Sequence, residues 1–383
     1  MKSVSVENQI REATKSLFRT KQIARWKLDN GFERWLSYRA DGSRYWKKLY
    51  VLYYRLFDNK YYKGGLNAIN REIQFFRGDI LEKDKRELRD DMVYSLHRFG
   101  ALFTEYFLFN FPHLNAVGRN AFITDKLRYV YCEILNPKDN IHLFDNKHET
   151  YNLFKKYYGR EVLLISDEND FEKFCDFIKR NPTFIKKPVT SAKGIGVEVL
   201  NVNKYESDVK LFEYLMPKGP FLLEQKVSNH HKIKHIYPNA LNTIRIPTVR
   251  TGKGTEIFAC GIRFGRGGNV VDNVGSGGIV AVIDNDSGIV ETPGFDKKGN
   301  KHLVHPDTDE LIIGFKVPMW ESAKKLAKEL SEVVPSNRYV GWDLALTENG
   351  WIMLEGNARG EFYGRQFPDR IGKKDWLESL IIK

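Results

Sequence analysis

The segment from Gly341 to Asn357, which reads Gly-Trp-Asp-Leu-Ala-Leu-Thr-Glu-Asn-Gly-Trp-Ile-Met-Leu-Glu-Gly-Asn, constrains this chain more than any other. Two apolar runs flank Asn349-Gly350, and that dipeptide between alternating hydrophobic residues is the strongest local signal for a β-hairpin. Side chains alternate along a strand, so Glu355 and Asn357 share a face. A three-residue loop of Glu348, Asn349 and Gly350 sets Asp343 opposite Glu355 and brings it to the same face. Two carboxylates and an amide oxygen then converge among aliphatic neighbours, a hard-oxygen set that suits Mg2+. The same pattern also fits an ordinary hairpin with a polar, solvated face, so the hairpin alone leaves both readings open.

A chain of 383 residues is long enough for two or three units with sizeable cores. Its three cysteines, Cys132, Cys175 and Cys260, lie far apart and form no C-x-x-C or Cys/His cluster. That argues for a reducing compartment and against a disulfide framework or a structural zinc site. There is no apolar run of membrane-spanning length and no apolar core of a secretory signal, so the expected location is the cytoplasm. The net charge of +12 is unevenly spread: residues 1–60 hold 14 Lys/Arg against 6 Asp/Glu. Trp26, Phe32, Trp35, Tyr38, Tyr45, Trp46, Tyr50, Tyr53 and Tyr54 interleave these charges. Such a segment reads either as a helical domain with an aromatic core and a solvated charged face, or as a peripheral contact with an anionic membrane leaflet. Nucleic acid is not expected, because no helix-turn-helix, RNA-recognition motif or zinc finger accompanies the charge.

Residues 1–115 show helical spacing, with Leu49, Leu52, Tyr53 and Leu56 at three- and four-residue steps and a charged amphipathic stretch from Glu82 to Arg98. Phe111-Pro112 and Gly118-Arg119-Asn120 read as breaks. From about residue 140 strands alternate with short helices. Glu149–Tyr158 and Asp170–Arg180 read as helices, the second capped by Asn169 or Asp170. Strands are expected over 161–165, 184–188, 194–201, 221–227, 241–250, 256–265 and 278–283, and a helix over 320–333. The fold class is therefore α+β with antiparallel sheets, preceded by a mainly helical, basic region.

Between these elements lie groups suited to a phosphate ligand. Lys187 sits in an apolar strand, where an unpaired charge is costly. Thr190-Ser191-Ala192-Lys193-Gly194-Ile195-Gly196 follows, a loop whose glycines let backbone N–H groups approach an anion. It precedes a strand rather than a helix, so it is neither a Walker A motif nor G-x-G-x-x-G. Leu222-Leu223-Glu224-Gln225-Lys226-Val227 is an apolar strand that turns polar. Arg245, in Asn-Thr-Ile-Arg, and Arg263 lie on neighbouring strands and suit a transferring phosphoryl group or a substrate carboxylate. Asp272-Asn273-Val274-Gly275-Ser276-Gly277-Gly278 is glycine-rich. Taken singly, each of these also fits a turn, a strand end or a solvated surface.

The order of these parts resembles the ATP-grasp superfamily, most closely its sugar-transfer-associated branch, and it is similar to the ribosomal-protein glutamate ligases. The resemblance covers residues 140–370 and implies an ATP-grasp region over 116–383, with a lid subdomain at 147–223 and a metal and substrate subdomain at 224–383. It also implies that Lys187 and Lys147 contact the phosphates of ATP, and that Ser191, Lys193, Gly194 and Gly196 belong to the loop covering them. Glu224, Gln225, Lys226 and Val227 would read adenine, with Asn273 adding a nucleotide contact. Asp343, Glu355 and Asn357 would hold one or two Mg2+, with Mn2+ as a substitute, and Arg245, Arg263 and Lys187 would act in catalysis. Many relatives follow the hinge with a carboxylate for the ribose, whereas this chain has Ser228-Asn229-His230-His231. The implied reaction joins a carboxylate to an amine through an acyl phosphate, on a sugar or polysaccharide precursor. The alternatives are a phosphotransferase on the same scaffold and a non-catalytic nucleotide-binding component of glycan assembly.

Overall fold

The computed structural model describes residues 5–17, 31–57, 59–190 and 195–381. The basic N-terminal region is helical, with helices at Val6–Leu17, Gly31–Asp41, Arg44–Phe57, Asn59–Arg77 and Glu82–Phe99. The last shows how sequence sets a helix end. Glu82 and Asp84 occupy the first turn, His97 and Arg98 the last, and Gly100 closes it at φ 73 with its N–H on the Leu96 carbonyl. In helix Arg44–Phe57 the structure buries Tyr50, Val51 and Tyr54, packs the half-buried Leu49 and Tyr53 against the same cluster, and turns Leu52 and Leu56 outward, so the periodic set straddles the edge of the core. Gly118-Arg119-Asn120 is not a break: it forms the short helix Ala116–Asn120, because Asn115 Oδ1 accepts the Gly118 N–H at 2.8 Å. Arg119 is buried and paired with Asp91, which takes its Nη1 and Nη2 at 2.9 and 2.7 Å. Lys47 Nζ and Tyr106 Oη donate to the same carboxylate.

Among the described residues the strands form two antiparallel sheets. In the smaller, β1 (Val162–Ile165), β2 (Thr183–Pro188), β3 (Glu198–Asn201) and β4 (Phe221–Gln225) are ordered β1-β4-β2-β3. Helices Phe171–Arg180 and Asp208–Leu215 cover one face with Phe174, Phe177, Leu211 and Phe212. Asp170 precedes the first of these helices, but its carboxylate accepts the Ser166 N–H instead of capping the helix. The strand expected from residue 194 starts only at Glu198, because Gly196 turns the chain at φ +74, where a Cβ would lie 2.8 Å from Pro188. The strand expected to reach Val227 ends at Gln225, and a boundary at 223/224 falls within β4.

The larger sheet contains β5 (Thr243–Thr251), β6 (Gly254–Ile257), β7 (Gly261–Phe264), β8 (Ile279–Val282), β9 (Gly294–Phe295), β10 (Lys301–His302), β11 (Tyr339–Thr347) and β12 (Gly350–Asn357). Its order is β10-β9-β8-β7-β5-β11-β12, with β6 also paired to β5. The single strand expected over 256–265 is therefore two. Pro247 explains the break. Its carbonyl accepts the Phe258 N–H at 2.8 Å, and on that same edge it has no N–H to give, so the ladder lapses and Ala259 swings to φ 57.

The hairpin also differs from expectation. Thr347 pairs with Gly350, leaving a two-residue turn of Glu348 and Asn349 in place of the three-residue loop. A bulge between Asp343 and Leu344 then shifts the register, so Leu344 faces Met353 while Asp343 faces Glu355. One face of the larger sheet carries Ile244, Ile246, Ile262, Trp342, Leu344 and Met353, packed under helix Trp320–Val333 through Ala323, Ala327 and Leu330. The opposite face carries the polar residues of the site. At its β8 side, Val280 and Phe295 join Phe367 and the helical region's Phe99, Phe109 and Phe122 in one cluster.

Candidate active site

Across the polar face of the larger sheet, alternation lines up Arg263 on β7, Arg245 on β5, Asp343 on β11 and Glu355 and Asn357 on β12. The pairings Arg245 with Asp343 and Asp343 with Glu355 are direct. Arg245 grips Asp343 through Nε to Oδ1 at 2.5 Å and Nη2 to Oδ2 at 2.9 Å. Arg263 Nη2 adds a third contact to Oδ1 at 2.9 Å. Burial alone would raise the Asp343 pKa, but the two guanidiniums outweigh it and hold the carboxyl below its ordinary value. Glu355 moves the other way: burial and the neighbouring Asp343 charge raise it, only partly opposed by Lys147, Lys187 and Arg245.

The smaller sheet brings its own charges to this edge. Lys187 Nζ donates to Glu224 Oε2 at 2.8 Å, and Arg160 Nε donates to the same oxygen at 2.9 Å. Burial pushes the Glu224 carboxyl up, yet Arg160 and Lys187 bring it down to about 2. Arg160 also reaches the carbonyls of Tyr158 (3.0 Å) and Met353 (2.7 Å), which ties the smaller sheet to β12. Lys147 opens helix Lys147–Phe154, capped by Asn146 Oδ1, and its N–H binds the Val189 carbonyl just beyond β2. Burial lowers the Lys147 pKa, with Glu355 pulling against it.

Lys147, Lys187, Glu224, Arg245, Arg263, Asp343, Glu355 and Asn357 thus come together, although the Glu224 carboxylate is spent inside an ion-pair cluster. Gln225 ends β4, where its side chain accepts the Glu161 N–H at 3.2 Å. Lys226 and Val227 continue into the connection toward helix His231–Ile236. Asn273 begins the turn after β7, next to Asp272. Gly196 lies beside Pro188, and Ser191, Lys193 and Gly194 fall outside the described residues. Three contributors escape sequence reasoning: Arg160, Thr243 and Asp272. Thr243 Oγ1 accepts from Arg263 at 2.6 Å and donates to the buried Asp272, which sits 3.6 Å from Arg263. Only Asp272 carried a signal, as the acid heading a glycine-rich loop.

The donor set fits Mg2+. All three groups can offer oxygen, and the Asp343 and Glu355 carboxylates face each other across the strand pair. Among the described residues Asn357 Nδ2 is buried without a partner, so no hydrogen bond at that nitrogen holds its amide away from a cation.

The profile of the sugar-transfer associated ATP-grasp family matches residues 126–379, most of the chain. No curated protein matches the sequence. Similar solved structures include the ATP-grasp ligase PsnB complexed with a minimal precursor, at 10% identity and a TM-score of 0.40, over 67% of this chain and 66% of that one. An N5-carboxyaminoimidazole synthase from Aspergillus clavatus shares 12% identity with a TM-score of 0.38, over 66% of this chain and 58% of that one. The D-alanine-D-alanine ligase from Coxiella burnetii shares 9% identity with a TM-score of 0.36, over 63% and 58% respectively. The chain spans less than two thirds of the length of each of these proteins. With a family profile covering most of its length, the chain belongs to the sugar-transfer associated ATP-grasp family.

Proposed function

We propose that the protein is an ATP- and Mg2+-dependent ligase that joins a carboxylate to an amine. The observation that carries this reading is the row Glu355, Asp343, Arg245 and Arg263 on one sheet face, with Lys187 arriving from the smaller sheet and Lys147 from the start of helix Lys147–Phe154. Such a row can neutralise a triphosphate and a carboxylate so that two anions meet. A carboxylate oxygen bonds to the γ-phosphorus, the bond to the β,γ-bridging oxygen breaks, and ADP leaves with the electron pair. The amine then attacks the acyl carbon, inorganic phosphate departs, and the amine's proton passes to solvent. Asp343, Glu355 and Asn357 would hold Mg2+, whose charge would offset that of the phosphates. Arg245 and Arg263 orient the carboxylate, while Glu224 fixes Lys187 through the ion pair at 2.8 Å.

The test is release of ADP and phosphate that requires both a carboxylate and an amine. Glu355→Gln should keep less than about a tenth of the activity, a loss above ~1.4 kcal/mol in transition-state stabilisation, with an unchanged melting temperature. Retention of more would remove the metal assignment. A phosphorylated product formed without any amine would mark a phosphotransferase.

The family description supports a sugar or polysaccharide precursor as the acceptor. The helical region supports docking at an anionic leaflet. Phe32, Trp35 and Tyr45 are exposed, their rings run on through the half-buried Trp46 and Tyr53, and Arg34, Arg39, Arg44 and Lys48 are exposed beside them. Co-sedimentation with anionic but not zwitterionic liposomes is expected, lost in Trp35→Ser/Tyr45→Ser. Equal sedimentation of the variant would remove this contact.

A further inference from the structure

We propose that the carboxylate substrate of this ligase is a small α-amino acid with an apolar side chain, held in the cavity opened by the Pro247 break. The inference rests on the ligase reading and names its substrate class. The cavity lies on the polar face of the larger sheet, with Arg245 and Arg263 at one end. Asp343 uses Nε and Nη2 of Arg245, while Asp343 and Thr243 share Nε and Nη2 of Arg263. Among the described residues, the Nη1 atom of each guanidinium has no hydrogen-bond acceptor. Two such donors on one cavity wall call for an anion, and planar guanidiniums match a carboxylate best.

The rest of the cavity has a different character. Phe258, Ala259, Val274, Val280 and Phe362 line it, and none of their side chains can satisfy a hydroxyl. A sugar hydroxyl or a second carboxylate against this wall would lose its water partners without replacement, at roughly 1–3 kcal/mol per unpaired polar group. Ala259 sharpens the point. It holds φ 57, a conformation that glycine adopts without penalty and an L-residue adopts at a cost of roughly 1–2 kcal/mol, so its methyl is placed on the wall against the backbone's preference. Among the described residues Glu361 is the single acid in the lining, and it gives an α-ammonium group a counter-charge. The cavity therefore offers two cations for a carboxylate, an apolar wall for a side chain and one anion for an amine. Its arginine end abuts Asp343, which turns the substrate carboxylate toward the metal-binding end of the row.

Hydroxylamine can replace the unidentified amine, because it captures an acyl phosphate as a hydroxamate. The full-length protein with ATP and Mg2+ is assayed with alanine, valine and leucine, with glutamate and serine, and with the deaminated acids propionate and isovalerate. At least one apolar amino acid should exceed glutamate, serine and its own deaminated analogue by about tenfold or more in kcat/KM. Glu361→Gln should raise KM for the amino acid about tenfold while leaving the deaminated acid unchanged, and Ala259→Gly should shift the preference toward longer side chains. A preference for acidic or hydroxylated substrates, or variants with unaltered profiles, overturns the proposal. Calorimetric titration of the same acids into protein saturated with Mg·ADP separates the two layers of inference. Selective binding without hydroxamate keeps the pocket and removes the ligase. Neither binding nor turnover removes both.

Discussion

Glu355 shows what a single residue's environment does to its chemistry. Burial and the facing Asp343 raise its pKa above the ordinary 4.5, whereas Asp343 is held low and stays ionised. A raised carboxyl favours the empty fold most below about pH 4.5, and that contribution fades as pH rises through the folded-state value. The carboxylate form, which alone can hold a cation, therefore accumulates at higher pH than an isolated glutamate would require. Stabilisation by Mg·ADP, read as the rise in melting temperature, should grow from pH 5 toward neutrality in the wild type. It should be small and flat in Glu355→Gln. A wild-type shift independent of pH over that range would refute the coupling of Glu355 to the metal. At this scale Glu355 and Asn357 were legible as sharing a face by alternation, whereas Asp343 reaches Glu355 through a two-residue turn and a bulge in place of the expected three-residue loop. Arg160 and Thr243 were not legible, because their partners come from segments distant in sequence: Glu224 and Met353 for Arg160, Asp272 for Thr243.

Between elements, Arg160 is the pin. It joins the Glu224 carboxylate of β4 to the Met353 carbonyl of β12, so one guanidinium holds the two sheets in relation. Arg160→Met removes one partner of a buried pair, and the expected loss is about 3–5 kcal/mol in urea denaturation. Glu224→Gln in that background should restore part of it. The depressed Glu224, at about 2, stabilises the fold above about pH 4.5, and this contribution is lost as pH falls toward 2. The double variant should lack that acid-sensitive window, and an unchanged acid limb would contradict the assignment. Strand boundaries were partly legible. Pro247 was visible within β5, but its effect falls on the neighbouring strand, and the pairing that transmits it is not written locally.

For the whole molecule, the change in texture near residue 140 announced an α+β region behind a helical one. A hydrophobic pattern tells which face of an element is apolar without telling what covers it. Here the helical region packs on the polar face of the larger sheet at its β8 side, in the cluster that joins Phe109 and Phe122 to Val280, Phe295 and Phe367. The two regions should therefore unfold together in calorimetry. A truncation beginning at residue 123 should expose this apolar surface and aggregate or melt at lower temperature. A monomeric truncation with the full-length melting temperature would show the regions to be independent.

The bulge beside Asp343 has a consequence for how such chains are compared. With a two-residue turn and no bulge, Glu355 would stand opposite Trp342 and its carboxylate would point into the core. One unpaired residue thus sets the parity of the strand, and an extra loop residue would set it equally well. Homologous sites can therefore keep the same facing carboxylates through different insertions, and the same Asp-to-Glu spacing can hide different hairpins. An alignment that slides a single gap across this segment changes no residue count, yet it exchanges the inside of the protein for its polar face.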